Sequence, residues 1–246
     1  MALKPWIIFI CSSIAISANA ADSNQSREQE LLQQKIEQAI VKFEQTPREF
    51  WAYQKSSYEN EEGDISSSIE RFTPNKALDK RWTLIQINGD KPSQKQLKKY
   101  LKNKEKLANN KKEGKNYSIQ LRELINQDSL KFHSENTSHI KMGFDVYVSH
   151  LGEDAKGKLD GILSYHKQDN FIEDITITNN AKFSPMLSAS ITDLSMTLSF
   201  VQINNAVLPS EQALDMKGTF AYFVEIDEVS TDTISNYQYM PPSNEE

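Results

Sequence analysis

The sequence is short of the residues on which several kinds of site depend. Its 246 residues include one Cys, so it can form neither a disulfide framework nor a zinc site built from thiolates. Glycine is also scarce, with 8 residues, which argues against a glycine-rich loop that binds phosphate. Hydrophobic residues make up 38% of the chain and charged residues 25%, a composition typical of a folded globular protein.

Motifs for common catalytic chemistry are missing as well. The four histidines lack the spacing of a zinc site, and neither Gly-x-Ser-x-Gly nor His-Glu-x-x-His is present. Gly152 to Lys158 resembles a phosphate loop but is followed by Leu159, and Ser164-x-x-Lys167 lies at a predicted strand end. We therefore predict that the protein is not an enzyme and has no catalytic residue, metal site or cofactor. A hydrolytic site assembled across strands is an alternative for which the sequence nominates no nucleophile.

No apolar run in the sequence has the ~20 residues that a membrane-spanning helix needs. The N-terminal run, residues 6–16, follows Lys4 and is followed by Ala18-Asn19-Ala20. This is the pattern of a secretory signal peptide at residues 1–20, with cleavage near Ala20/Ala21. It predicts an exported protein that loses its cysteine with the signal peptide. An uncleaved N-terminal anchor is the alternative.

Charge is distributed unevenly along the chain. Between Lys91 and Lys115 there are ten lysines and two acids, a net charge of +8 in a chain whose overall charge is −6. Three interpretations are a solvated helix, a helix that contacts an anionic membrane surface, and a site for nucleic acid. The acidic balance and the export signal exclude nucleic acid as a partner. The lysines assigned to an anionic surface are Lys98, Lys99, Lys102 and Lys106.

Two segments have the apolar periodicity of amphipathic helices. Residues 27–45 carry apolar side chains at three- and four-residue spacing, which predicts a helix that packs on a core. In the lysine-rich segment, a capping box at residues 93–96 predicts the start of a second helix. Leu97, Tyr100 and Leu101 give this helix a narrow apolar stripe, which we interpret as a lid over an apolar ligand.

The rest of the chain alternates between apolar and polar residues, as half-buried strands do. Strands that are apolar on one side and joined by short turns predict an antiparallel sheet. Their length favours a large curved sheet in a single α+β domain, residues 21–240, followed by a frayed tail at 241–246. The predicted strands cover residues 49–58, 65–72, 80–87, 140–148, 159–165, 171–178, 194–200, 220–226 and 230–239.

Short motifs at turns and strand ends carry a resemblance to known proteins. They are Arg71-Phe72-x-Pro74, Arg81-Trp82-x-Leu84, Asn88-Gly89, Pro92, Phe183-Ser184-Pro185 and Val207-Leu208-Pro209. In these motifs the chain resembles a family of uncharacterised exported proteobacterial proteins. The order of its predicted elements is similar to the periplasmic lipoprotein-carrier (LolA-type) fold.

This resemblance implies an N-terminal helix plus a curved antiparallel half-barrel, with a Lys-rich helix inserted between strands. It also implies a function, namely a soluble, periplasmic, non-catalytic binding or carrier protein for a lipid, lipoprotein or other apolar ligand. Shelter from water would stabilise such a ligand, since each buried CH₂ contributes about 0.8 kcal/mol. The alternative function is an envelope interaction module that binds anionic surfaces through the Lys91–Lys115 helix.

Overall fold

The computed structural model describes residues 17–74, 76–77, 80–112, 120–148, 151–221 and 223–241. Within these residues, three α-helices accompany eleven strands. The helices are α1 (Ser17–Gln45), α2 (Gln94–Lys112) and α3 (Leu121–Leu124). The strands are β1 (Trp51–Glu61), β2 (Asp64–Phe72), β3 (Trp82–Ile87), β4 (Lys131–Glu135), β5 (His139–Asp145), β6 (Leu159–His166), β7 (Phe171–Asn179), β8 (Phe183–Met186), β9 (Ala189–Ile203), β10 (Ala206–Phe220) and β11 (Val224–Tyr239).

All of these strands belong to one antiparallel sheet. Its order is β3-β2-β1-β11-β10-β9-β7-β6-β5-β4, and β8 pairs with β9 beside this path. The sheet is open, because β3 and β4 form its two edges, and β11 joins the N-terminal hairpin to the later strands. The fold class is therefore α+β with a dominant antiparallel sheet, which confirms the coarse prediction.

Most of the strands predicted from alternation are present, but one prediction is wrong. Residues 220–226 do not belong to one strand, because β10 ends at Phe220 and β11 begins at Val224. Apolar residues on both sides of this turn keep the same alternation, so periodicity alone cannot show the break. The long strand β10 was missed because its apolar residues alternate over only part of its length.

The pairing register fixes which residues share a face of the sheet. In an antiparallel pair, side chains directly opposite each other point to the same side. Leu198 on β9 lies opposite Gln212 on β10, and Gln212 lies opposite Asp232 on β11. Asp232 lies opposite Ser57 on β1, and Ser57 lies opposite Ser68 on β2. These five residues therefore share one face, here named the α1 face because Phe43 of α1 packs on it.

Helix α1 covers the apolar part of this face and forms the main core. Its buried residues recur at the spacing of one helical stripe, as the sequence predicted for residues 27–45. They are Leu32, Ile36, Ala39 and Ile40, and they pack with buried residues of β5, β6, β7 and β9. The end of α1 is fixed to β10, where the Val207 amide donates a hydrogen bond to the Thr46 hydroxyl at 3.1 Å.

The described residues include only the last part of the predicted signal peptide and the first residue of the predicted tail. Helix α1 begins at Ser17, upstream of the predicted cleavage position, while residues 1–16 of the predicted signal peptide lie outside the described residues. Residues 242–246 of the predicted tail also lie outside them. No helix in the described part of the chain combines the length and the hydropathy required to cross a membrane.

Replacing Ile36 with Ala should destabilise the protein strongly, because Ile36 is fully buried between α1 and the sheet. We expect the free energy of unfolding to fall by about 2–5 kcal/mol, the usual cost of a cavity in a core. Leu31→Ala, on the exposed side of the same helix, is the control and should cost less than about 1 kcal/mol. Urea denaturation measures both, and equal losses would contradict the assigned core.

Candidate functional site

A groove of about 670 Å³ lies on the α1 face of the sheet. Phe43 of α1 and Leu121 of α3 form one side of it, and five adjacent strands form its floor and its other side. The strand residues that line it include Met196, Leu198 and Phe200 of β9, Gln212 and Leu214 of β10, Ser230 and Asp232 of β11, Lys55, Ser57 and Glu59 of β1, and Ser68 of β2.

One wall of the groove is apolar. Along β9, Met196, Leu198 and Phe200 alternate with polar residues and so point to the same side. Leu214 lies opposite Met196 and extends this wall onto β10. The ring of Phe43 meets the ring of Phe200 edge-on, with centroids 5.1 Å apart, and fixes the end of α1 over the wall.

The opposite wall is polar, although it belongs to the same face of the same sheet. Asp232 on β11 accepts hydrogen bonds from the Lys55 ammonium at 2.9 Å and from the Ser57 hydroxyl at 2.5 Å. Ser68 lies opposite Ser57 and continues this wall onto β2. The groove therefore places an apolar strip beside a row of hydroxyl and charged groups, which suits a ligand that has both characters.

Beyond the polar wall, a buried carboxylate joins helix α2 to the sheet. Glu70 of β2 is only 4% exposed. It accepts hydrogen bonds from the Tyr100 hydroxyl at 2.7 Å and from the Lys104 ammonium at 2.9 Å, both on α2. Lys55 approaches the same carboxylate at 3.9 Å. A buried charge requires such partners, so this contact is a strong constraint on where α2 lies.

Aromatic rings surround this charged centre. The Lys104 ammonium lies 3.7 Å from the centre of the Trp82 ring, an arrangement typical of a cation–π interaction. Burial lowers the pKa of Lys104, while the carboxylate of Glu70 acts in the opposite direction. Burial, followed by the nearby charge of Glu70, raises the pKa of Tyr53 to about 12. Burial and the hydrogen bond to Glu70 also raise the pKa of Tyr100.

The end of the α1 face at the β1–β2 hairpin is acidic. Glu61 lies opposite both Glu228 on β11 and Asp64 on β2, and Glu59 is two residues away on β1. Burial, followed by the charges of Glu59 and Glu61, raises the pKa of Glu228. None of these four acids forms an ion pair with another described residue. Of these acids Glu59 lines the groove, so this end of the groove carries negative charge, which disfavours an anionic headgroup there.

The three residues assigned to a lid lie on α2 in different environments. Tyr100 is half-buried against Glu70, Leu97 is partly buried, and Leu101 is exposed. None of the three lines the groove. The side of α2 that meets the sheet consists of Leu97, Tyr100 and Lys104. The stripe predicted from the sequence for this side of the helix was defined by apolar residues and therefore did not include Lys104. The lid remains a prediction.

The four lysines assigned to an anionic surface lie on the outer side of α2. Lys98, Lys99, Lys102 and Lys106 are all exposed, and none pairs with an acid among the described residues. Lys104 lies between Lys102 and Lys106 in the sequence, but its side chain points to the sheet. The helix therefore presents positive charge to solvent on one side and one buried ammonium to Glu70 on the other.

A second group of polar side chains was not predicted from the sequence. His139 and His166, on the paired strands β5 and β6, have ring centroids 5.0 Å apart. His139 contacts the Glu173 carboxylate through Nε2, and its Nδ1 lies 2.8 Å from the Ser138 hydroxyl. None of these residues lines the groove. In the part of the chain that the structure describes, no group of three or more His, Cys, Asp or Glu residues is placed to hold a metal ion.

Comparison with known proteins gives one distant similarity. Neither a protein-family model nor a curated protein matches the sequence. Among solved structures, the chain is similar to a DUF1329 family protein from Desulfovibrio piger, with 6% sequence identity and a TM-score of 0.31. The similarity covers 82% of this chain and 90% of that chain. It assigns neither a family nor an activity.

Replacing Glu70 with Gln should weaken the attachment of α2, because Lys104 would lose its carboxylate partner while its surroundings stay the same. Removal of one partner from a buried ion pair typically costs about 3–5 kcal/mol. The measurement is urea denaturation at neutral pH. We expect the double variant E70Q/K104M to recover part of this loss, because it leaves no unpaired ammonium.

Glu59→Gln is the control for the loss of one negative charge on the same face of the sheet. It should change the free energy of unfolding by less than about 1 kcal/mol, because Glu59 is exposed. A loss for Glu70→Gln no larger than for this control would show that the pairing of Glu70 contributes little to stability.

Proposed function

We propose that this protein is a soluble, non-catalytic binding or carrier protein whose groove holds the apolar chain of a lipid, a lipoprotein or another amphipathic ligand. The observation that carries the proposal is the pairing of an apolar wall with a polar wall across one groove of about 670 Å³. This volume lies within the roughly 300–1,000 Å³ that is common for sites of small ligands. The acidic end of the groove favours a ligand with a neutral or cationic headgroup.

The energy of such binding would come from the apolar wall. Each CH₂ group transferred from water to this wall contributes about 0.8 kcal/mol, so a single chain of moderate length would be held appreciably. The polar wall would contribute little to the binding energy, since Asp232, Lys55 and Ser57 already form hydrogen bonds with one another. It would instead determine which end of the ligand lies on that side of the groove. Chemistry is not part of this proposal, because the Asp232 carboxylate that is bonded to the Ser57 hydroxyl is also paired with the Lys55 ammonium, an arrangement that satisfies all three groups.

The proposal extends to the fold family and the location of the protein. A half-barrel of the lipoprotein-carrier (LolA) type covers one face of a curved sheet with helices. The placement of α1 and α2 on the same face supports this comparison, since Glu70 shares that face with Lys55. The signal peptide predicted from the sequence would deliver the mature protein, from near Ala21 onward, to the periplasm.

Replacing Ser230 with Trp should block the groove, because the half-buried Ser230 lines it and an indole ring would occupy the space of the ligand. We expect the affinity for a fluorescent fatty alcohol to fall at least tenfold in equilibrium titrations of protein purified from the periplasm. Native mass spectrometry of the unmodified protein from the same source should detect co-purified lipid.

Thr231→Trp is the matched control, since it adds the same ring at the next residue of β11, on the opposite face of the sheet. Its affinity for the probe should stay within about twofold of the unmodified protein. If the unmodified protein contains no lipid and takes up no probe, the proposed function is wrong.

A second candidate function is contact with an anionic membrane surface through α2. It is favoured by one observation, the exposure of Lys98, Lys99, Lys102 and Lys106 without acidic partners among the described residues. Near a charged membrane each lysine contributes about 1 kcal/mol. This function is compatible with the first, because the outer side of α2 does not line the groove.

Replacing these four lysines with Gln should weaken binding to vesicles that contain phosphatidylglycerol and should flatten the dependence of binding on salt. The control removes the same charge elsewhere, at four other exposed lysines: Lys76, Lys80, Lys131 and Lys182. Cosedimentation at low and high salt measures both variants. Equal binding by the two variants would rule out a specific role for α2.

A further inference from the structure

Two turns at one end of the sheet carry large apolar side chains in solvent. At the β8–β9 turn, Leu187 is 100% exposed and Met186 is 58% exposed. At the β10–β11 turn, Phe223 is 84% exposed, and Phe220 and Val224 are each exposed by more than a third. Exposed apolar residues that occur singly are common, but a contiguous group of them marks an interaction site.

The two turns form one surface, because they are bonded to each other. The Ala221 amide donates a hydrogen bond to the Ser188 carbonyl at 2.7 Å, and Phe220 lies opposite Ala189 in the pairing of β10 with β9. The exposed apolar residues of the two turns are named here the tip patch. It consists of Met186, Leu187, Phe220, Phe223 and Val224.

The tip patch is continuous with the apolar wall of the groove. Leu214, which lines the groove, is followed along the α1 face of β10 by Met216, Gly218 and Phe220. Ile226 lies opposite Gly218, and both Met216 and Ile226 pack against the main core. An uninterrupted apolar row therefore leads from the groove to Phe220 in the tip patch.

We propose that the tip patch inserts into the surface of a lipid bilayer and that the apolar row is the path by which an acyl chain enters the groove. The inference rests on the proposed function, because the row ends at the groove in which that ligand would be held. No side chain of the patch is charged, so insertion would be driven by the burial of apolar surface.

A bilayer fits this patch better than a second copy of the chain does. Only Leu187 and Phe223 are more than two-thirds exposed. The patch is therefore smaller than the roughly 800 Å² per partner that a stable protein interface buries. Side chains at the tips of turns project outward, and such a shape enters a fluid interface more readily than it fits a rigid partner.

The test is binding of protein purified from the periplasm to vesicles of pure phosphatidylcholine, measured by cosedimentation. We expect the unmodified protein to bind, and the variant L187S/F223S to lose at least tenfold in partition. The control variant L107S/F132S removes two exposed apolar side chains on α2 and β4 and should stay within twofold. Because the proposed insertion is apolar, binding should not weaken in high salt.

A second measurement reports insertion directly and requires no loss of binding. The emission of Leu187→Trp should shift to shorter wavelengths when phosphatidylcholine vesicles are added, whereas that of Phe132→Trp should not. Thermal unfolding of each variant shows whether it folds normally. The absence of both the shift and the binding would overturn the proposal.

Other outcomes also decide against the tip patch. Binding that requires phosphatidylglycerol, disappears in high salt and is unchanged in L187S/F223S would assign the membrane contact to α2 instead. Self-association without vesicles that is lost in L187S/F223S would assign the patch to a second copy of the chain.

Failure of the inference is distinguishable from failure of the proposed function. Uptake of a soluble fluorescent fatty alcohol without vesicles tests the groove alone, and L187S/F223S should retain it. The same variant should take up the probe more slowly when the probe starts in vesicles. Vesicle binding through the tip patch by a protein that takes up no probe would support docking and refute the carrier function.

Discussion

The continuous antiparallel register from β9 through β10, β11 and β1 to β2 is the constraint on which the site depends. It forces Leu198, Gln212, Asp232, Ser57 and Ser68 onto one face of one sheet. At the level of the groove, hydrophobicity changes from one strand to the next, so the same face is apolar at β9 and polar at β1. Helix α1 covers only the apolar part, so a groove with two kinds of wall remains between α1 and the polar strands.

The buried carboxylate of Glu70 has a different role from the core packing of α1. A lysine-rich helix has little apolar surface with which to bind a sheet, and Leu101 and Leu107 of α2 are exposed. Glu70 instead accepts charge-assisted hydrogen bonds from the Tyr100 hydroxyl and the Lys104 ammonium, and the Trp82 ring lies against that ammonium. Such bonds are directional and fix the orientation of α2 more narrowly than a shallow apolar contact would.

Two surfaces are therefore available for contact with a membrane, one through electrostatic attraction and one through the burial of apolar side chains. The outer lysines of α2 act over a Debye length and depend on salt, whereas the tip patch acts only on contact. The acidic end of the α1 face lies at the β1–β2 hairpin, beside the apolar row that leads to the tip patch. An anionic headgroup would be repelled there, so a neutral or cationic amphiphile is the ligand that suits both the row and the groove.

The sequence by itself determined the fold class, the helix at 27–45, the start of α2 and most strands, because alternation, helical spacing and capping are local patterns. It predicted one strand over 220–226, where β10 ends and β11 begins, since a turn that preserves the alternation of apolar residues cannot be seen in that alternation. Only the tertiary structure decided the groove, the burial of Glu70 by Tyr100 and Lys104, the pairing of His139 with His166, and the union of two turns in the tip patch. Each of these joins residues that are distant along the chain. Alternation within one strand fixes only the face on which a side chain lies, whereas its neighbours on that face depend on how the strands and helices are arranged in space.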